Sequence, residues 1–318
     1  MRHGLLGRAL GVATVVLGVS LAGCSTDRLG VEAVVELPDA SYLRTVVSDD
    51  EFSYFGDTNG TVYKVRHDDL GVAESSSVPG ASGFWSATKT GDFAFLGDAD
   101  GHLFKIRLAD LSVAAETMVK RGAALHSMQI VGGSLFVGDG NGGVHELSLD
   151  DLSVMASAVL PGAGGLLSAT SDNEYVYFGD SFQNVWKLRA ADLAVVRSTR
   201  LLDASYLAST VSDGDHLILG DGAGGVWRLS KSDLAVVYQR RLLSGYGLWA
   251  ASTTGGDVYF GDFFGKVWQV ATDDLTLRSS VQLTEAGYPD ALWAADIVNG
   301  NAYIGGDSGR VWKVRLTP

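Results

Sequence analysis

Six Gly-Asp pairs stand 41 residues apart, with their aspartates at Asp57, Asp98, Asp139, Asp180, Asp221 and Asp262. A seventh, Asp307, follows 45 residues after the sixth. A second anchor keeps the same step: Leu70, Leu111, Leu152, Leu193, Leu234 and Leu275. Between anchors the chain reads as strands. In the copy at 41–80, "SYLRTVV", "FSYFGD", "TVYKVRH" and "GVAESSSV" alternate with the turns "SDDE", "TNG" and "DDL". Val, Tyr, Phe and Leu fill the strands, and Gly, Asn, Asp and Ser punctuate them. No stretch after the N-terminal segment sustains the 3.6-residue apolar spacing of a helix. A period near 40 with four strands per copy is the signature of propeller blades. The expectation is an all-β, seven-bladed β-propeller of four-stranded antiparallel blades.

The two ends of the chain are complementary. The last copy stops after its third strand, "RVWKVRLTP", while "LGVEAVVELPD" at 29–39 aligns with the fourth strand "LGVAESSSVPG" at 70–80. Strand 29–37 should therefore complete the last blade and remove its free edge. In six copies an Asp precedes the fourth-strand Leu; at the seam that place is Arg28, where no turn exists to cap. Residues 28–318 form one domain on this reading.

The third strand carries a large ring at one register: Tyr63, Phe104, His145, Trp186, Trp227, Trp268 and Trp312. Packing between blades accounts for it, with His145 as the odd member. The Gly-Asp pairs read as tight turns, with Gly60, Gly101, Gly142, Gly225, Gly265 and Gly309 supplying positive φ. The carboxylates of Asp57, Asp98, Asp139, Asp180, Asp221, Asp262 and Asp307 would then accept from turn amides. Asp57-Thr58-Asn59-Gly60 and its counterparts at Asp98 and Asp139 also match the start of a calcium loop, but they are too short and lack the distal Glu. No metal is expected.

The first residues, MRHGLLGRALGVATVVLGVSLAGCS, have a positive start at Arg2 and Arg8 and an apolar run too short for an ordinary span. The run ends in Leu21-Ala22-Gly23-Cys24, which resembles a bacterial lipoprotein lipobox. The resemblance implies a signal peptide at 1–23, lipidation at Cys24, a lipidated tether at 24–27 and attachment to a membrane in the bacterial cell envelope. Ser25, where an acidic residue would imply inner-membrane retention, favours the outer membrane. A plain signal peptide with a chance cysteine is the alternative. Cys24 is the only cysteine, so no internal disulfide or cysteine-based zinc site can form. Net charge is −13, and two units more negative once Arg2 and Arg8 leave with residues 1–23. A surface that acidic repels polyphosphate, which argues against nucleic acid as a partner.

The pattern in "VYFGDFFGKVWQV", with Val-Trp-Lys in its closest copies, resembles the repeat of quinoprotein-like propellers, those related to pyrroloquinoline-quinone (PQQ-like) enzymes, and more loosely the YVTN-type surface-layer propellers. It is also distantly similar to outer-membrane assembly lipoproteins of the BamB type, which usually have eight blades. The resemblance implies fold more than function, because such propellers serve as dehydrogenases, scaffolds and adhesins. Calcium and the quinone are the cofactors it would bring; the ligands of neither can be placed here, and none is expected.

Function in a repeat protein should sit where the copies differ. After a uniformly large apolar residue (Leu43, Phe84, Leu125, Leu166, Leu207, Leu248, Leu292), the first strand varies: Arg44, Trp85, His126, Leu167, Ala208, Trp249, Trp293. These fall at the channel mouth, with Tyr42, Tyr206 and Tyr246 close by in sequence. The seventh copy inserts four residues, three of them around 285–292, and brings Tyr288 and Asp290 to the same rim. Tryptophan faces and an Arg fork suit a planar, sugar-like or anionic ligand. The alternative is that the indoles plug the channel. Phe182, Phe263 and Phe264 in the turns either mark protein contacts or fold inward. No His-x-x-x-His pair or G-x-S-x-G elbow occurs among residues 24–318. The reading is a monomeric, non-enzymatic binding module for an envelope protein or polysaccharide; the alternative is a quinone-dependent dehydrogenase or a polysaccharide hydrolase or lyase.

Overall fold

The computed structural model describes residues 29–284 and 290–316. Cys24, Arg28 and Tyr288 lie outside the described residues. Seven four-stranded antiparallel sheets make up the described chain, and no helix occurs among the described residues. Blade 1 shows the plan: Leu43–Ser48 innermost, then Phe52–Asp57, Thr61–Arg66, and Val72–Ser77 outermost. Blades 2 to 6 repeat it at 84–118, 125–159, 166–200, 207–241 and 250–282. The inner strands of successive blades adjoin one another in a closed ring, with the seventh meeting the first. The channel they surround has one mouth, or rim, formed by the Gly-Asp turns and the loops that enter each inner strand.

Blade 7 closes the ring. Its strands Leu292–Val298, Asn301–Gly306 and Arg310–Leu316 are completed by Leu29–Glu36. The ladder runs from Leu29 opposite Leu316 to Glu36 opposite Arg310. Leu37, just past the strand, continues it by donating its N–H to the Gly309 carbonyl at 3.0 Å. Val35 and Leu37 are both buried. The strand therefore starts at the base of the ring and ends at the rim.

Two recurrent residues explain why the blades fit. The glycine of each Gly-Asp pair is needed for close approach: a methyl group on Gly138 would lie 2.8 Å from Leu166 Cβ of the next blade and 2.6 Å from Ser127 Oγ. The repeated leucines sit in the left-handed region, with φ 54° at Leu70, 52° at Leu111 and 60° at Leu152. A branched side chain pays conformational strain there, yet these leucines are at most 5 % exposed, so core burial outweighs it. The preceding Asp supports the turn; Asp151 Oδ1 accepts from the Ser153 N–H at 3.0 Å.

Third-strand lysines staple neighbouring blades, which the sequence pattern alone did not suggest. Lys64 donates to the Leu108 carbonyl, Lys105 to Leu149, Lys187 to Lys231 and Lys313 to His67, at 2.8–3.0 Å. The ammonium groups of Lys64, Lys105 and Lys187 also lie over rings of their own blade, with Lys187 3.9 Å from the Tyr175 ring centre.

Three sequence expectations need correction. In the fifth turn the positive-φ residue is Gly224, not Gly225, and in the fourth the place falls to Gln183 with φ 72°. Asp307 is not the seventh copy of the turn aspartate. Leu292 pairs with Gly306, as Leu43 pairs with Asp57, so Gly306 holds that place and Asp307 stands one residue beyond it. Trp268 to Trp312 is likewise 44 residues, so the insertion is three residues, all upstream of Leu292.

Removing residues 29–37 would leave blade 7 three-stranded and uncover Trp312, Val311 and Val314, all buried in the closed ring. A protein beginning at residue 38 should melt well below one beginning at residue 28 and aggregate on heating; equal melting temperatures by calorimetry would contradict closure as the stabilising feature.

Candidate functional site

The rim is built on buried carboxylates. Asp180 is fully buried, and its Oδ1 accepts the N–H groups of Phe182 and Asn184, each at 2.8 Å. Its Oδ2 accepts from the Gly164 N–H at 3.3 Å and from Trp186 Nε1 at 3.0 Å. One side chain thereby ties its own turn, the loop entering its inner strand and its third strand. Asp57 does the same with Asn59, Thr61 and Ser41. The calcium-like loops thus turn these carboxylates inward onto amides. Among the described residues no three His, Cys, Asp or Glu side chains group as a metal site.

The third-strand ring is more than packing. Trp227 Nε1 donates to Asp221 at 3.0 Å and Trp268 Nε1 to Asp262 at 2.8 Å. His145 is the same device in another residue: its Nε2 lies 3.0 Å from Asp139 Oδ2. Burial opposes ionisation of Asp139, but hydrogen bonds from His145 and the turn amides outweigh it and hold its carboxyl below the usual range. For Asp262 burial prevails and pushes the carboxyl up. The signal was present in the sequence as a ring N–H six residues after Asp in four copies. Phe104 has no such donor, and Tyr63 donates its hydroxyl to the Pro38 carbonyl at 3.3 Å.

In blade 7 a carboxylate reaches the same place from another direction. Asp290, at the end of the insertion and 5 % exposed, accepts from the Ser308 N–H at 3.0 Å and from the Ser308 hydroxyl. A methyl group on Gly306 would lie 2.6 Å from Asp290 Oδ1. Gly306 therefore leaves room for Asp290, whose role here is structural support of the turn. Asp307, displaced to the channel side, accepts the Trp293 Nε1–H. Burial pushes its carboxyl up, with the charge of Asp290 adding to the effect and Arg44 opposing it.

The variable rim register is a β-bulge. Leu43 pairs with Asp57 and Thr45 with Gly56, leaving Arg44 unpaired between them; Trp85, His126, Leu167, Ala208 and Trp293 sit in the same irregularity. A bulge re-aims its side chain and interrupts the ladder. The carbonyl beside the bulge is taken up by the preceding blade: Ser86 Oγ donates to the Leu125 carbonyl at 2.6 Å and Ser127 Oγ to Leu166 at 2.8 Å. In blade 6 the inner strand starts at Ala250, and Trp249 precedes it.

These bulges bring the rim residues together. The Arg44 guanidinium carbon lies 4.1 Å from the Trp85 ring centre and 3.9 Å from that of Trp293. Trp293 leans on Trp249 at 4.9 Å, Trp249 stacks on Tyr206 at 5.0 Å, and Trp85 meets His126 edge-on at 4.9 Å. Six side chains from the blade 1–3 and 5–7 sectors thus form a continuous chain, in which Arg44 lies over the Trp85 and Trp293 rings and Tyr206 over that of Trp249. Leu167 and Ala208 complete the circle without joining it. Beneath Arg44, Trp249 and Trp293 a cavity of about 160 Å³ is lined by small residues including Ala87, Ala250 and Ala294. Burial, aided by the Arg44 charge, pushes the His126 pKa down to about 4.

Outside this stacked chain the rim face is apolar on one side. Phe182 is 56 % exposed, Leu202 79 % and Leu243 85 %, and Tyr246 and Phe264 are also exposed. Phe263 is half-buried and meets Tyr246 edge-on at 6.0 Å. The turn place of Phe182 and Phe264 holds Asn59, Asp100 and Asn141 in the first three blades. Large apolar residues at this turn place are therefore confined to blades 4 and 6.

Replacing Asp180 by Ala would leave Trp186 Nε1 and three amides without their acceptor. At about 1–3 kcal/mol per buried unpaired group the loss should reach at least about 3 kcal/mol, and Asp180→Asn, which keeps Oδ1, should cost less. Denaturant unfolding would measure both. For His126 the folded pKa lies below the ordinary 6.5, so the unfolded chain binds the extra proton between those values. Stability should fall as pH drops from 6.5 to about 4. His126→Gln should remove about 2–3 kcal/mol of that fall; an unchanged pH profile would contradict the burial of a neutral imidazole.

The fold has known counterparts. The crystal structure of the WD40 β-propeller domain of Doa1 superposes with a TM-score of 0.76 at 15 % identity, covering 90 % of this chain and 96 % of that one. No family model matches this chain and no curated protein is detectably similar in sequence. The likeness establishes the architecture: this chain folds as a seven-bladed β-propeller.

Proposed function

We propose that this protein is a non-enzymatic scaffold of the bacterial cell envelope, lipid-anchored at Cys24, that presents its rim face to a protein partner. The observation that carries the proposal is the one-sided apolar patch of Phe182, Leu202, Leu243, Tyr246 and Phe264 on a chain of net charge −13. Large exposed apolar side chains clustered on one face mark interaction sites. The stacked rim residues beside the patch supply a stiff floor, since their ring faces already engage one another.

With the anchor at Cys24, the direction of the first strand would set the orientation of the ring. The strand starts at the base with Leu29 and reaches the rim at Leu37. From a lipidated Cys24 to Leu29 the chain can span at most roughly 18 Å. The base would thus be held near the membrane and the rim face turned away from it, open to an envelope partner.

The test is co-isolation of partners from membranes with the full chain and with Leu202→Ser/Leu243→Ser/Phe264→Ser. These side chains are exposed, so the melting temperature should stay within a few degrees while partner recovery falls at least about tenfold. Equal recovery would reject the rim face. In the same membranes Cys24→Ala should move the protein to the soluble fraction; a variant that stays bound would reject the anchor.

A further inference from the structure

The outermost strands divide by charge. In blades 7, 1 and 2 they carry Glu32, Glu36, Glu74 and Glu116 and no Lys or Arg. In blades 4 and 5 they carry Arg197, Arg200, Arg240 and Arg241 and no acid. The strand of blade 5, Val236–Arg241, is exposed at every residue. Val195, Val196, Val236, Val237 and Tyr238 are 41–47 % exposed. On a chain with 24 Lys and Arg against 37 Asp and Glu, this concentration of base is out of proportion.

The arginines have few acidic neighbours, the charge of Arg197 acting on Asp233. Among the described residues no ion pair involves any of the four. Arg200 donates to Gln183 Oε1 at 3.2 Å and Arg240 to the Leu275 carbonyl at 3.1 Å, both neutral acceptors. In blades 6 and 7 the outer-strand charges are matched: Arg278 lies 2.6 Å from Asp257, and Glu32 and Glu36 face Lys313 and Arg310. Val236–Arg241 is the last strand of its sheet, so its outer side offers main-chain groups to an added strand.

We propose that the outer edge of blade 5, Val236–Arg241, flanked by Arg197 and Arg200 of blade 4, is a docking edge for an extended acidic polypeptide segment that adds to the sheet as a fifth strand. Main-chain pairing supplies the adhesion, Val236, Val237 and Tyr238 supply apolar contact, and the arginines select acidic side chains. The same charges repel the identical edge of a second copy, which separates a selective edge from an aggregating one. This edge lies on the circumference and is distinct from the rim face.

The test uses the full chain and fluorescence anisotropy with three labelled eight-residue peptides: alternating Val-Glu, alternating Val-Lys, and Val-Glu with proline in place of alternate valines. The Val-Glu peptide should bind, weakening with added salt, and the other two should bind at least about tenfold more weakly. Arg240→Glu/Arg241→Glu should weaken Val-Glu binding by at least about tenfold, while Glu74→Lys in blade 1 should leave it within twofold. Equal binding of the Val-Glu and Val-Lys peptides, no binding of either, or an unchanged affinity in the double variant would each overturn the proposal. Sedimentation showing self-association that the double variant abolishes would assign the edge to a second copy and overturn it as well.

Discussion

The buried aspartate at the end of the second strand in blades 1 to 6 is the constraint on which the rim depends. A carboxylate removed from water is costly unless its lone pairs are filled. In blades 3 to 6 they are filled by turn amides and by a ring N–H from the third strand, from Trp186 in blade 4 and His145 in blade 3. The turn, the strand beneath it and the entry to the inner strand are thereby fixed together. Blade 7 keeps the arrangement with a different chain path: Asp290 comes from the insertion, and Gly306 makes room.

Because the turns are rigid, the residue that enters the channel can vary. In every blade but the sixth a bulge after the large apolar residue takes the next residue out of the ladder, and serine hydroxyls of the adjoining blade satisfy the carbonyl of that apolar residue in blades 3 to 6. Arg44, Trp85, His126, Trp249 and Trp293 occupy places at which no strand hydrogen bond depends on the side chain. Their mutual stacking then decides what the mouth looks like. The indoles lie on Arg44, Tyr206 and one another, which makes the mouth a firm platform and shifts exposed apolar surface outward to Phe182, Leu202, Leu243 and Phe264.

The circumference obeys a separate logic. Every blade of an open-edged propeller ends in a strand with an unpaired side, and charge on that strand governs what can pair with it. Blades 7, 1 and 2 present glutamates, and blades 4 and 5 present arginines that form no ion pair among the described residues. Rim face and edge are thus two chemically different surfaces on one ring.

The sequence by itself determined the number of blades, their four strands and the closure of the ring by 29–37, because these follow from period, punctuation and matching ends, all of which are local in the chain. It also exposed the variable register, since repeats align without coordinates. What it left undecided needed residues far apart in sequence to be placed together. Counting Gly-Asp pairs put Asp307 in the turn, and only the pairing of Leu292 with Gly306 showed that Asp290 supplies the carboxylate there. The ring N–H donors to aspartate, the lysine staples between blades and the Arg44 sandwich likewise depend on distances across strands and blades. A linear pattern records which side chains recur; tertiary packing decides which of their polar atoms meet, because the cost of leaving one buried and unpaired selects among arrangements the pattern cannot distinguish.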